Sequence, residues 1–236
     1  MSALSRERSL LDGELRVVGL LPRASNSTFL AEVTGGPGAL PVVYKPRDGE
    51  TPLWDFPDGT LCNREVAAFV LARALGWPNV PPTVLRDGPH GQGSVQLFVE
   101  SDPTEHYFTL RERFPDEFRR VAAFDVVVGN GDRKAGHCML TAEGAVWVVD
   151  HGLCFAARPW LRTVIWDFAG ELVQDQVRED LHRIAGDLRS GALRDHLEDL
   201  LAAEEVDAAA DRAEALVRAG TYPHPGPGRS HPWPPV

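Results

Sequence analysis

Two acids and a histidine near the middle of the sequence have the spacing of a site for phosphoryl transfer. Asp132 stands in a glycine-flanked loop, His137 follows five residues later, and Asp150 follows an apolar run eighteen residues after Asp132. One acid can orient a hydroxyl nucleophile and take its proton. Two further ligands can hold a divalent metal ion on the phosphates of a nucleotide. Asp132 is therefore the candidate catalytic acid, and His137 and Asp150 are the candidate metal ligands.

Each of these side chains also has a structural interpretation when it is taken alone. Gly131-Asp132 is a common turn pair, and Asp150 can simply begin a turn at the end of a strand. A single histidine such as His137 is more often structural than metal-binding. The carboxylate at Asp150 is nevertheless a hard ligand suited to Mg²⁺, and the combination of the three residues favours a site.

Two charged residues upstream strengthen this interpretation. Lys45 ends an apolar strand, and Glu65 lies twenty residues later on a predicted helix. A lysine that points from a strand into a cleft can hold phosphate oxygens, and a glutamate on a packed helix can fix that lysine in place. Either residue alone is a surface charge by default, but in this order they predict a phosphate-binding pair.

Further candidates for phosphate contact are cationic or hydroxyl-bearing. Arg133 and Lys134 can neutralise a transferring phosphate, or they can be exposed loop charges that pair with Asp132. The polar turn between the first two strands lies where a phosphate-covering turn belongs, although it has no GxGxxG pattern. Its candidate ligands are Ser25, Asn26 and Ser27.

The elements that must position these residues change in type along the chain. Strands are predicted over residues 15–21, 29–33, 40–44, 83–85, 94–99 and 145–149, and helices over 63–75, 115–128, 171–186, 188–202 and 206–219. This order predicts an α+β fold with two lobes, a β-rich N-lobe over residues 1–100 and a helical C-lobe over residues 101–220. A ligand cleft is expected between the lobes. Residues 221–236, with six prolines, are predicted to form a disordered tail.

Composition limits the class of protein. The chain has 236 residues, of which 43% are hydrophobic and 25% are charged, as in ordinary soluble domains. The formal charge of −10 argues against nucleic acid or anionic lipid as a general partner. No stretch approaches the roughly 20 apolar residues of a spanning helix, and no signal peptide is evident. We therefore expect a cytoplasmic protein without nucleic-acid binding or membrane insertion. Its three cysteines lack a CxxC pair and are expected to be reduced and packed.

Taken together, these residues resemble the protein-kinase-like superfamily on its atypical branch, near the phosphoinositide 3-/4-kinases and HipA-like kinases. In that branch a strand lysine, a helix glutamate, a loop of the form Asp-Arg-x-x-x-Asn and a later strand-end aspartate make the site. The chain resembles more closely still an actinobacterial family described as phosphoinositide-kinase-related. That likeness rests on the segments Tyr44-Lys45-Pro46, 53–57, 149–152 and 164–168.

The resemblance implies an ATP-dependent kinase with the two-lobed kinase-like fold. In it Lys45 corresponds to the ATP-phosphate lysine and Glu65 to its ion-pair partner. Asp132 corresponds to the catalytic aspartate, and Asp150 to the metal-binding aspartate of the DFG-like motif. The interlobe hinge, whose backbone would hold the adenine, corresponds to Gln96, Leu97, Phe98 and Val99, and Arg133 is expected to contact the cofactor.

Two positions depart from the family pattern. His137 replaces the loop asparagine, and His151 takes the place of the DFG phenylalanine. An imidazole still donates a lone pair and suits Mn²⁺ better than an amide oxygen does, so either Mg²⁺ or Mn²⁺ is expected. Alternatively, metal binding is crippled and the chain is a nucleotide-binding regulator, a pseudokinase. Asp167 is expected either to anchor the catalytic loop or to cap a helix.

The same residues would also serve nucleotidyl transfer with ATP bound in a flipped orientation. For phosphoryl transfer, the acceptor is predicted to be a protein hydroxyl or a small metabolite. The small helical lobe and the acidity of the chain argue against a membrane phosphoinositide as that acceptor.

Overall fold

The computed structural model describes residues 3–22, 26–35, 38–158 and 160–236. The strands are β1 (Glu14–Leu20), β2 (Phe29–Thr34), β3 (Leu40–Pro46), β4 (Thr83–Gly88), β5 (Gly91–Leu97), β6 (Cys138–Leu140) and β7 (Val146–Val148). The helices are α1 (Ala3–Asp12), α2 (Leu61–Leu75), α3 (Tyr107–Leu110), α4 (Pro115–Val128), α5 (Asp175–Arg189), α6 (Ala192–Glu198) and α7 (Ala203–Ala219). The predicted α+β fold with a strand-rich lobe followed by a helical lobe is confirmed.

The N-lobe sheet presents Lys45 to the face opposite its small core. The sheet is antiparallel, with strand order β1-β2-β3-β5-β4. Val42 and Tyr44 of β3 are fully buried in the cluster that also holds Leu10 of α1. Because side chains alternate along a strand, Lys45 projects to the other face. It lies there beside α2.

Helix α2 connects the two lobes. Its amino end is capped by Glu50, whose two carboxylate oxygens accept from the amides of Leu61 and Cys62 at 3.1 and 2.8 Å. A carboxylate in this place satisfies orphan donors and favours the helix dipole. Arg64, which is fully buried, reaches from α2 to Glu205 of α7 at 2.6 Å. The position of α2, and of any residue it carries, is therefore fixed by the C-lobe.

Helix α4 forms the centre of the C-lobe. Phe118, Val121, Phe124 and Val127 recur at helical spacing and are all at most 1% exposed. They pack in one core with α5 and α7. The helix ends at Gly129, whose φ of 58° is the left-handed conformation that glycine adopts at little cost. The chain then turns directly into the loop that carries Asp132.

Several element boundaries differ from the sequence predictions, and three of them change an element substantially. The segment 86–93, predicted as a connection, extends β4 and β5 into a tight hairpin. The predicted helix over 171–186 begins only at Asp175. The predicted helix over 188–202 is broken near Gly191, whose φ of 111° is incompatible with a continuous helix, so α6 is short.

The prediction of disorder over residues 221–236 is corrected by the structure. Tyr222 is 3% exposed and packs in the C-lobe core. Farther along, the carbonyls of Ser230 and Pro235 accept hydrogen bonds from amides of the C-lobe. A proline-rich segment loses little backbone entropy on ordering, so a few such bonds suffice to hold it.

No helix in the described ranges is long and apolar enough to cross a membrane.

Candidate active site

Lys45 joins the N-lobe sheet to two carboxylates. Its Nζ donates to Glu65 Oε1 of α2 and to Asp150 Oδ1, the latter at 3.0 Å. Burial lowers the pKa of Lys45, but Asp150 and Glu65 outweigh it and raise the pKa above its ordinary value. Lys45 is therefore a fixed cation with Glu65 as a partner, and its phosphate-binding role stays a prediction.

Glu65 also holds the segment that follows Asp150. Its second oxygen, Oε2, accepts from the backbone N–H of His151 at 3.0 Å. Asp150 itself has a φ of 61°, a left-handed conformation that aspartate tolerates better than most residues. This backbone turn and the Glu65 contact set the direction in which the Asp150 carboxylate points.

His137 and Asp150 form a mixed nitrogen and oxygen pair. His137 Nε2 lies 3.3 Å from Asp150 Oδ2. Burial lowers the pKa of His137 to about 4, so its ring is neutral near pH 7. The Lys45 ammonium holds the pKa of the Asp150 carboxyl far below its usual range, and this side chain is 48% exposed to the cleft. A neutral imidazole beside an open carboxylate is a suitable donor pair for Mn²⁺ or Mg²⁺.

These two ligands cannot enclose a metal ion by themselves. Among the described residues, no group of three or more His, Cys, Asp or Glu side chains is placed to bind one. Mg²⁺ commonly takes one or two protein carboxylates and completes its shell with phosphate and water oxygens. The donors present therefore fit an ion that arrives with a nucleotide.

Asp132 lies in the loop between α4 and β6, next to Lys134. Its Oδ2 is 2.9 Å from Lys134 Nζ, and its backbone N–H donates to Asn130 Oδ1 at 2.9 Å. Burial raises the pKa of the Asp132 carboxyl, while the side chain is still 27% exposed. Gly131 permits this path, because a Cβ there would lie 1.5 Å from Trp160 Nε1. The result is a proton acceptor with a cation beside it.

The predicted cofactor-binding role of Arg133 is corrected. Its guanidinium is fully buried and forms hydrogen bonds of 2.9 to 3.2 Å with Asp125. It also donates to the Val149 carbonyl at 2.9 Å and lies 2.8 Å from His151 Nε2. Burial acts against its charge, but Asp125 outweighs that effect and raises the pKa of Arg133. Arg133 thus ties the Asp132 loop to the Asp150 segment and does not face the cleft.

Asp125 is the important residue that sequence reasoning missed. It is fully buried on α4 and also accepts from Asn130 Nδ2 at 3.0 Å. Thr163 Oγ1 lies 3.5 Å from its second oxygen. A buried carboxylate requires such partners. The sequence feature that could have identified Asp125 is its position as the single acid in the apolar run 121–128.

Asp167 does neither of the things expected of it. Its carboxylate accepts from the Tyr107 hydroxyl and lies 2.8 Å from Arg111. It therefore fastens α3 to the segment 164–168, and Asp125 instead anchors the loop that carries Asp132.

The predicted phosphate-covering turn is only partly described, and it differs from the expectation. Ser25 lies outside the described residues. Asn26 Oδ1 accepts from the Thr51 amide at 2.8 Å, and the Ser27 amide donates to the Gly49 carbonyl at 3.0 Å. These groups stabilise the N-lobe itself. Among the described residues of this turn, Ser27 has an exposed side chain that is open to a phosphate.

The predicted hinge offers fewer donors than expected. The Gln96 side chain is buried and donates to a neighbouring threonine at 2.8 Å. The amides of Leu97 and Phe98 each donate to a proline carbonyl at 2.9 Å. The Val99 amide, just after β5, has no hydrogen-bond acceptor among the described residues. Of these four positions, Val99 has the backbone donor that can meet a base.

The cysteines are free and buried, as predicted. Burial raises the pKa of Cys62 to about 11 and that of Cys138 to about 12. Thiols in this state are poor nucleophiles.

Two sequence comparisons place the chain among known proteins. Protein Rv2133c of Mycobacterium tuberculosis is 41% identical over an alignment of 261 positions that covers 95% of the chain and 93% of that protein. A family model described as phosphatidylinositol 3- and 4-kinase matches residues 82–168, which include Asp132, His137 and Asp150. Phosphatidylinositol 4-kinase gamma 4 of Oryza sativa subsp. japonica is 30% identical over 110 residues, covering 39% of the chain but only 20% of that kinase.

Solved structures with low sequence identity share the fold. The Golgi casein kinase with Mn and ADP bound has a TM-score of 0.55 at 14% identity, over 91% of this chain and 74% of that one. The Helicobacter pylori proinflammatory kinase CtkA has a TM-score of 0.50 at 14% identity, over 88% and 98% of the two chains. The predicted likeness to HipA-like kinases is not confirmed by these matches. The chain belongs to the family of the mycobacterial Protein Rv2133c, and it has the two-lobed fold of the atypical kinases related to phosphatidylinositol 3- and 4-kinases.

Proposed function

We propose that the protein is an ATP-dependent phosphotransferase that acts on the hydroxyl group of a protein or a small metabolite. The observation that carries this proposal is the contact of Lys45 with both Glu65 and Asp150. It couples a strand lysine, a helix glutamate and a strand-end acid at the cleft between the lobes. Of the chemistries weighed, phosphoryl transfer makes fullest use of this set.

Each residue then has a defined part in the reaction. Lys45 holds phosphate oxygens while Glu65 keeps its ammonium in place. His137 and Asp150 would hold a Mg²⁺ or Mn²⁺ ion, which supplies charge neutralisation at the phosphates. Asp132 orients the acceptor hydroxyl and takes its proton, and Lys134 stabilises charge on the transferring group. Val99 offers its amide to the adenine.

The fold likeness supports the choice of cofactor. The Golgi casein kinase structure contains Mn and ADP, and the donor pair His137 and Asp150 suits such an ion. The pseudokinase alternative has less support, because Asp132 retains a cleft-facing carboxylate. A protein that only binds nucleotide has little use for a proton acceptor there.

The test uses ATP labelled at the α or the γ phosphate, with Mg²⁺ and with Mn²⁺. Asp132→Asn and Asp150→Asn are compared with Asp175→Asn, whose side chain is 95% exposed on α5. We expect γ label to be transferred by the parent and by Asp175→Asn. Loss in the two site variants is expected to be at least about 100-fold.

The other outcomes separate the alternatives. Transfer of α label indicates nucleotidyl transfer. Nucleotide binding without turnover under either metal indicates a regulator. The absence of both binding and turnover in the parent protein contradicts the proposal.

A further inference from the structure

The end of the chain lies along the loop that carries Asp132. The Ala135 amide donates to the Pro235 carbonyl at 2.8 Å, and the Thr163 amide donates to the Ser230 carbonyl at 3.1 Å. Trp166 Nε1 donates to the same Ser230 carbonyl at 3.2 Å. Residues 229–236, here named the tail segment, are thus joined to the C-lobe by two of their main-chain carbonyls.

Both amide donors lie next to the candidate catalytic acid. Ala135 is three residues after Asp132 on the same loop. Thr163 is bridged in parallel to Arg133, the residue that directly follows Asp132. An acceptor hydroxyl that reaches Asp132 brings its neighbouring groups across these positions. The tail segment therefore lies along the same loop that an acceptor at Asp132 must approach.

The backbone donors at this surface favour a polypeptide as the acceptor. Ala135 is fully buried and Thr163 is 3% exposed, so their amides need a hydrogen-bond acceptor wherever water is excluded. A polypeptide supplies carbonyls at regular intervals. Ser230 and Pro235 are five residues apart, a step that spans at most about 17 Å in an extended chain. A polypeptide placed here satisfies both donors through its backbone, whatever its side chains are.

We propose that the surface around the Ala135 and Thr163 amides binds the acceptor as a polypeptide, and that the tail segment occupies it as an internal competitor. The proposal rests on the proposed function, and it selects a protein hydroxyl over a metabolite. Main-chain recognition is common for extended peptides because carbonyl and amide spacing is independent of sequence. The segment can leave without unfolding the lobe, since residues 223–229 are exposed while Tyr222 stays in the core.

The first test measures occupancy without any nucleotide. Pro232 is buried in the tail segment and Pro227 is exposed ahead of it, so Pro232→Asp is compared with Pro227→Asp. A fluorescent peptide of residues 229–236 is added in trans and its anisotropy is measured. We expect Pro232→Asp to bind this peptide at least tenfold more tightly than the parent or Pro227→Asp. Equal affinity in all three proteins overturns the proposal.

Hydrogen exchange provides a second readout at the two donors. The amides of Ala135 and Thr163 are expected to be protected in the parent, to exchange faster in Pro232→Asp and to regain protection with the added peptide. Unchanged exchange at both amides overturns the proposal. If thermal unfolding shows that Pro232→Asp is not folded, Trp166→Phe, which removes one donor to Ser230, replaces it.

The acceptor class is tested separately. Pro232→Asp, the variant in which the tail segment is expected to be released, is incubated with γ-labelled ATP and a candidate acceptor. The acceptors are serine-containing variants of the tail peptide and phosphatidylinositol vesicles. Label on peptide, at least tenfold above the parent protein's rate, supports the proposal, whereas label on lipid alone overturns it. If neither is labelled and ATP is not turned over while the peptide still binds, the proposed phosphotransferase function fails and the peptide site stands.

Discussion

The Glu65 carboxylate on α2 accepts a hydrogen bond of 3.0 Å from the backbone N–H of His151, the residue that follows Asp150. The same carboxylate accepts from Lys45 on β3. A single side chain therefore sets the position of both Lys45, the proposed phosphate-binding lysine, and the Asp150 segment, the proposed metal-binding segment. Because α2 is fastened to α7 through Arg64 and Glu205, the packing of the C-lobe determines where this carboxylate stands.

Replacing Glu65 by glutamine tests that arrangement. The glutamine side chain keeps one hydrogen-bond acceptor but lacks the negative charge that fixes Lys45. Of its two present ion-pair partners, Lys45 then keeps only Asp150. We expect ATP affinity to fall by about tenfold or more, and the free energy of unfolding to fall by about 1–3 kcal/mol. Calorimetric titration with ATP and urea unfolding measure the two effects. Glu179→Gln on the exposed face of α5 is the control, and equal behaviour of the two variants contradicts the assignment.

Removing the Asp125 carboxylate is expected to destabilise the C-lobe strongly. Asp125→Ala leaves the buried Arg133 guanidinium without its ion-pair partner, a change that typically costs about 3–5 kcal/mol. The exposed pair of Asp116 and Arg119, at 3.1 Å with Asp116 74% exposed, provides the comparison. Asp116→Ala is expected to cost less than about 1 kcal/mol. Urea unfolding of both variants gives the difference, and similar losses contradict a structural role for the buried pair.

Two buried histidines predict a loss of stability in mild acid. Burial lowers the pKa of His137 to about 4 and that of His151 well below its ordinary value of 6.5. Between pH 6.5 and 4 the unfolded chain therefore binds more protons than the native protein. The free energy of unfolding then falls as pH falls, with a slope on the order of 1 kcal/mol per pH unit for each histidine. The raised pKa of Asp132 acts in the opposite direction, because the native protein then binds the additional proton.

Urea unfolding at several pH values between 7 and 5 measures that slope. His137→Asn is expected to reduce the slope by about half, because one of the two titrating groups is removed. His196→Asn, on the exposed surface of α6, is expected to leave it unchanged. A parent protein whose stability does not vary across this interval contradicts the assignment of two neutral buried histidines.

Local sequence patterns predicted much of the fold and the set of candidate site residues. The apolar strands ending at Lys45 and near Asp150, and the helical period of α4, are visible without any tertiary information. Strand ends and glycine-flanked loops place polar side chains at the edges of a sheet or lobe. On this basis the sequence predicts one shared site for Lys45, Glu65, Asp132, His137 and Asp150. The structure places Lys45, Glu65 and Asp150 in direct contact.

What the sequence could not predict depends on distant partners. Arg133 and Lys134 are adjacent cations, yet one is buried against Asp125 and the other lies beside Asp132. No local pattern distinguishes them, because the choice is made by an acid on α4. The tail was expected to be disordered because its composition is proline-rich, whereas its order comes from amides at Ala135 and Thr163. Composition indicates the entropic cost of ordering a segment, but it does not show which hydrogen-bond partners the fold supplies.

We expect His137 to determine which metal the proposed site prefers. Its Nε2 lies beside Asp150 Oδ2, and a nitrogen ligand favours Mn²⁺ over Mg²⁺ relative to an amide oxygen. His137→Asn is therefore expected to shift the ratio of ATP affinities in Mn²⁺ and Mg²⁺ toward Mg²⁺. A shift of about tenfold is the scale on which a changed ligand environment alters metal affinity. Titration of ATP into the protein with each metal gives the ratio independently of turnover. His196→Asn is the control; if the two variants keep the parent ratio, His137 does not bind the metal, and Asp150 must hold it with phosphate and water oxygens alone.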